Sequence, residues 1–175
     1  MKKKPLLKLL YAAVCLALCL VLPLLTGQIK QIGTMLSPMH IPVLLCGFLC
    51  GPWWALAVGA IAPLLRSLTF GMPHLYPDAA AMTFELAAYG LFSGLLYRAL
   101  PKKVWSIYVS LIAAMIAGRL VWGAARVVLY GLGGEAFTWQ MFLSGALLRS
   151  IPGIVLHIVL IPLLVLALRR AKVME

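Results

Sequence analysis

HIPVLLCGFLCGPWWALAVG, residues 40–59, is the stretch on which the fold turns. An uncharged apolar run reaches Gly51-Pro52, a strong turn signal, and Trp53, Trp54 and a second apolar run follow at once. Tryptophans beside such a turn read as anchors at a membrane–water boundary, so two helices meet here at one face of a bilayer. The first of them, about 39–52, is short for a crossing, and a re-entrant segment is the competing reading. Re-entry would reverse the sidedness of all that follows and put Lys102 and Lys103 opposite Lys2, Lys3 and Lys4. Because basic residues gather on the cytoplasmic side, the stretch reads as a full crossing.

Composition agrees outward from there. The 175 residues are 64% hydrophobic and 11% charged, with a mean hydropathy of +1.05. A globule of this size leaves too much surface wet to hide that much apolar material, so its solvent is lipid. Six helices are expected, at about 6–25, 39–52, 53–70, 79–100, 104–130 and 140–168, forming one compact all-α membrane domain over residues 1–175 with both termini cytoplasmic. Pro152 and Gly153 predict a kink within the last helix, and 26–38, 71–78 and 131–138 read as outer loops. The net charge of +11 does not indicate nucleic-acid binding, because the basic residues sit in short segments bordering apolar runs: Lys2–Lys4 and Lys8, Arg98 with Lys102 and Lys103, and Arg169, Arg170 and Lys172. Lys2–Lys4 and the run after them imitate a signal peptide, but no A-x-A cleavage pattern follows, and the segment is read as a retained helix. Cys15, Cys19, Cys46 and Cys50 lie within apolar helices, without a CxxC spacing or nearby His or carboxylate. They read as free buried thiols, and no metal, cofactor or catalytic set is expected.

The intramembrane charges carry the functional signal. Arg66, Arg119, Arg126 and Arg149 lie within apolar helices that hold only one acid, Glu85. A guanidinium at bilayer depth costs about 3 kcal/mol on insertion scales, so each needs a cavity, a polar partner or a ligand. Counting along the helices places most of this charge toward the outer side, with Arg119 nearer the midplane. Arg119, Trp122, Arg126 and Tyr130 share one face of the fifth helix, a stripe suited to a ligand with a charged end and a flat or apolar body. Glu85 and Tyr89 share a face of the fourth helix and are expected to look into the same cavity. For Arg66 an alternative is snorkelling to the outer headgroups; for Glu85, neutralising an arginine; for His157, helix packing.

Ala13-x-x-x-Ala17, supported by Ala12, forms a small-residue ridge on the first helix that permits close helix approach. With six helices, inside termini, a long first outer loop and the stretch from Pro38 to Tyr97, the chain resembles the substrate-binding S components of energy-coupling factor (ECF) vitamin transporters. That resemblance implies a multi-pass receptor of the bacterial plasma membrane, not an enzyme, whose substrate sits in the outer half beneath loops one, three and five. It implies that Ala13 and Ala17 dock a transmembrane coupling protein driven by two ATPase subunits, and that the whole component topples to deliver its cargo. Ligand residues would come from Arg126, Arg149, Glu85, Arg119, Trp122, Tyr89, Tyr130 and Arg66. The positive excess favours a carboxylate-bearing vitamin or precursor, with pantothenate as the lead and folate, biotin, riboflavin and other vitamin precursors as alternatives. No Walker motif is present, so ATP hydrolysis falls to the partners.

Two other classes are distinguishable. A structural or assembly subunit of a larger complex would pair its arginines with acids on a neighbouring chain. A rhomboid-like intramembrane protease would use Ser93 and His157, but the local sequence GLFSG lacks the G-x-S-G arrangement of those enzymes.

Overall fold

The computed structural model describes residues 3–26, 29–134, 136–146 and 148–174, and every regular element among them is helical. α1 (Lys3–Val21) tightens into a 3-10 turn over Leu22–Thr26, where Pro23 cannot donate to the helical ladder. α2 (Lys30–Leu36) is a short helix inside what the sequence reads as the first outer loop. Its seven residues are too few for a periodic pattern to register, and it ends at Ser37 in the left-handed region, φ 46°. α3 (His40–Leu49) has 10 residues, about 15 Å of helix, and is buried along nearly its whole length.

Gly51, at φ 99°, makes the turn into α4 (Pro52–Phe70), whose proline suits a helix's first turn. That positive φ is what calls for glycine, and the Arg98 guanidinium packs into the space a side chain would take, with Nη2 1.9 Å from where a Cβ would stand. One π-type turn over Leu75–Ala79 leads into α5 (Ala80–Ala99), and a short link leads to α6 (Val104–Leu132). With 29 residues, α6 runs about 43 Å and outreaches the ~30 Å hydrocarbon core.

The last expected helix, about 140–168, is corrected by the structure. α7 (Trp139–Ala146) and a 3-10 turn over Leu148–Ser150 precede α8 (Ile151–Arg170), so the chain breaks before Pro152 instead of kinking at it. Proline is tolerated in a first turn, where its missing N–H has no partner to lose, and here it opens a new helix. Among the described residues, Pro5–Leu25, Pro52–Phe70, Leu75–Ala99, Val104–Leu132 and Ile151–Arg170 are long and apolar enough to cross a membrane, with α3 as a shorter sixth apolar helix. This is an all-α membrane bundle.

α5 lies at its centre, against α3, α4 and α6. Lipid offers no hydrophobic drive between helices, so close contact depends on small residues. A Cβ on Gly59 of α4 would meet Leu86 O at 2.3 Å, and one on Gly90 of α5 would meet Ala55 O at 2.4 Å. Gly94 stands equally close to Pro52 N, 2.5 Å, and the three glycines form a continuous seam. Cys15, Cys19, Cys46 and Cys50 are free and buried, and Cys19 Sγ donates to Met39 O at 3.6 Å.

At the end carrying the basic clusters, Tyr97 organises a collar. Its hydroxyl accepts from Arg169 Nε at 2.8 Å, and the Lys102 ammonium sits 4.2 Å from its ring centroid. Burial, then Arg169 and Arg98, push Lys102 below the usual lysine range. This concentration of positive charge marks the cytoplasmic side.

Candidate functional site

A cavity of about 610 Å³ opens between the non-basic ends of α4, α5 and α6, within the size range of small-molecule pockets. Its roof comes from the segment holding α2, from 72–78 and from the stretch entering α7. Its floor is the start of α3, with Met39 and His40.

α6 supplies one wall. Arg119, Trp122 and Arg126 line the cavity with Tyr130, so the stripe read from the sequence does face a common space. Arg126 lies 5.2 Å from the Trp122 ring and 5.7 Å from the Tyr130 ring, and its Nη1 donates to Tyr130 Oη at 3.4 Å. The aromatic faces stabilise the guanidinium by about 0.5–2 kcal/mol per contact, depending on desolvation. Small residues make room behind the stripe: a Cβ on Gly123 would meet Phe142 at 2.5 Å, and one on Gly118 would meet Tyr89 at 2.3 Å.

Both α6 arginines have acids opposite. Arg126 Nη2 lies 2.5 Å from Asp78 Oδ1, and Arg119 Nη1 lies 2.9 Å from Glu85 Oε1. The two ion pairs are rungs of one antiparallel hairpin, each pair equidistant along the chain from Lys102 in the link. Asp78 was not among the residues expected to form the site. It sits in a proline-rich loop before α5, but folding the hairpin about its basic link places it across from Arg126. Tyr76 latches the same loop to α6 by donating to Leu129 O.

His40 is the second unexpected member. It opens α3, is 3% exposed, and brings Nε2 to 3.5 Å from Glu85 Oε1. At that distance the contact is long and poorly aligned, and neither His40 nitrogen makes a well-formed hydrogen bond within the protein. The ring is held by an edge contact with Tyr89 at 5.1 Å and a stack on His157 at 5.9 Å. Nothing in the sequence pattern singled it out, because a histidine starting an apolar helix reads as a boundary residue.

Of the remaining candidates, Arg66 is 3% exposed, donates through Nη1 to Leu20 O at 2.6 Å and lines the cavity, turning inward instead of snorkelling. Tyr89 is 1% exposed and lies behind the wall, supporting His40. His157, also buried, backs the same cluster as a packing histidine. Arg149 belongs to the 3-10 turn Leu148–Ser150, but its side chain lies outside the described residues, as does Glu135. Three guanidiniums, of Arg66, Arg119 and Arg126, stand against the carboxylates of Asp78 and Glu85 among the described charged lining residues, a positive balance.

Ser93 is fully buried, and its hydroxyl donates to Gly90 O at 3.2 Å in the contact between α5 and Gly47 of α3. It fills a helix interface, away from the cavity lining. On α1, Ala13 and Ala17 are exposed, while Ala12, Cys15 and Cys19 face the core.

The family model described as ECF transporter, substrate-specific component, matches residues 7–165. No curated protein and no solved structure matches the chain.

Proposed function

The chain belongs to the substrate-specific components of ECF transporters, and from that membership we propose that its outer cavity captures a carboxylate-bearing, pantothenate-like vitamin or precursor from outside the cell. As such a component it is a multi-pass membrane receptor for a small molecule and not an enzyme. The observation carrying the anionic reading is the convergence of Arg66, Arg119 and Arg126 on one partly enclosed cavity that holds only Glu85 and Asp78 against them among its described charged residues. Arg126, beside the roof, is the primary grip; Arg66 adds charge, Trp122 and Tyr130 supply apolar faces, and Tyr89 and Glu85 hold the wall. Arg149, at the turn before α8, completes the proposed set.

Cargo passes to a coupling protein driven by two ATPase subunits, docked on Ala13 and Ala17. Their exposure, beside Leu10, Val14 and Leu18 on the same outer side of α1, supports that assignment. An assembly subunit would turn its arginines outward to a neighbour's acids, whereas Arg66, Arg119 and Arg126 line the cavity.

A thermal-shift screen of the purified protein against water-soluble vitamins tests the reading, since a ligand selective for the native state raises apparent stability by mass action. One carboxylate-bearing vitamin should raise Tm, and Arg126→Ala should abolish the rise. A screen in which no vitamin moves Tm would overturn the proposal.

A further inference from the structure

We infer that His40, with Glu85 and Arg119, forms a second recognition station at the cavity floor, so that the substrate is two-ended, charged outward and neutral but hydrogen-bonding inward. This rests on the receptor reading above and specifies the class of molecule received.

Spacing comes from α6. Arg119 and Arg126 stand two helical turns apart on one face, about 10 Å at 1.5 Å per residue, with Trp122 between them. The stations differ in charge. At the outer one, Arg126 pairs with Asp78, and Arg66, which donates to a neutral backbone carbonyl, adds a further positive charge to the same cavity, a balance suited to a carboxylate. At the inner one, Arg119 faces Glu85 and the balance is neutral. A second carboxylate there would meet Glu85, whereas a hydroxyl or amide can both donate and accept.

The inner groups are poised for such a partner. His40 lines the cavity, is 3% exposed, and has neither ring nitrogen hydrogen-bonded within the protein. Arg119 Nε likewise has no hydrogen-bond partner within the protein, while Arg119 Nη1 holds Glu85 Oε1 at 2.9 Å. Buried polar groups are normally hydrogen-bonded, and a cluster left open where it borders a cavity is one that a ligand completes. Contacts from Tyr89 and His157 hold the His40 ring, which limits the ordering cost of binding. Imidazole nitrogens can donate or accept, matching a hydroxyl or amide.

The test uses the full-length protein and terminal hydroxy-carboxylates from propanoate to decanoate, with the plain alkanoates as controls, read by calorimetry and thermal shift. Binding should peak near the octanoate member, whose extended ends lie about 10 Å apart, matching two helical turns. The hydroxylated member should bind better than plain octanoate. His40→Ala should remove that advantage, roughly tenfold, as for one lost hydrogen bond, while His40→Gln, which retains a donor and an acceptor, should keep part of it and confirm folding. Arg126→Ala should weaken every member. Affinity that rises steadily with chain length regardless of the hydroxyl, or that ignores both His40 variants, overturns the inference. So does silence from the whole series when the vitamin screen finds a ligand, an outcome that leaves the receptor reading standing; failure of both removes both.

Discussion

Glu85 is 2% exposed and has Arg119 at 2.9 Å and His40 at 3.5 Å, so one carboxylate offsets the charge of a guanidinium and borders an imidazole. Removing one partner of a buried pair strands the other, which typically costs 3–5 kcal/mol, whereas replacing both with apolar groups is often neutral. Glu85→Gln should therefore lower Tm sharply, and adding Arg119→Met should recover most of the loss, measured by thermal unfolding in detergent. A single variant as stable as the wild type would argue against a coupled pair. At this scale the arginines and Trp122 were legible because a polar stripe on a membrane helix has few explanations. Asp78 and His40 were not, since one lies in a loop and the other starts an apolar helix, and only tertiary folding brings them to the stripe.

Among the elements, the α4–α5 seam illustrates how a membrane bundle is held without hydrophobic drive. Gly90 approaches Ala55 O so closely that its Cβ would stand 2.4 Å away, whereas Gly131 near the end of α6 has open space around it. Gly90→Leu should force the helices apart and destroy the monodisperse species on size exclusion. Gly131→Ala should leave it intact and raise Tm slightly through helix propensity, about 0.5–1 kcal/mol. The long crossings were readable because length and apolarity alone define them. α2 and the break before α8 were not: the first has too few turns to show a period, and the second arises where backbone must pack on backbone. A Cβ on Gly153 would lie 2.6 Å from Met35 O of α2, so the first turn of α8 is the seat of the roof. Gly153→Leu should lift that roof and speed ligand dissociation in stopped-flow measurements.

For the whole molecule, the proposed capture and docking surfaces are separate. Ala13 and Ala17 face outward on α1, and the cavity is lined mainly from the other helices. Replacing both with Trp should leave ligand affinity unchanged while abolishing uptake in proteoliposomes containing the complete transporter; a parallel loss of binding would sink the docking assignment. The brevity of α3 has its own result. Ten residues, about 15 Å, separate the cavity floor from the cytoplasmic turn at Gly51, roughly half the ~30 Å hydrocarbon core. A recess that deep, open to the outer solution, carries the outer electrical potential inward, so most of the voltage drop falls across the septum beneath it. Loading the receptor should then be nearly indifferent to an imposed diffusion potential in vesicles. For the anionic cargo proposed above, the electrical work of crossing, about 2.3 kcal/mol per charge at 100 mV, would fall on the delivery step.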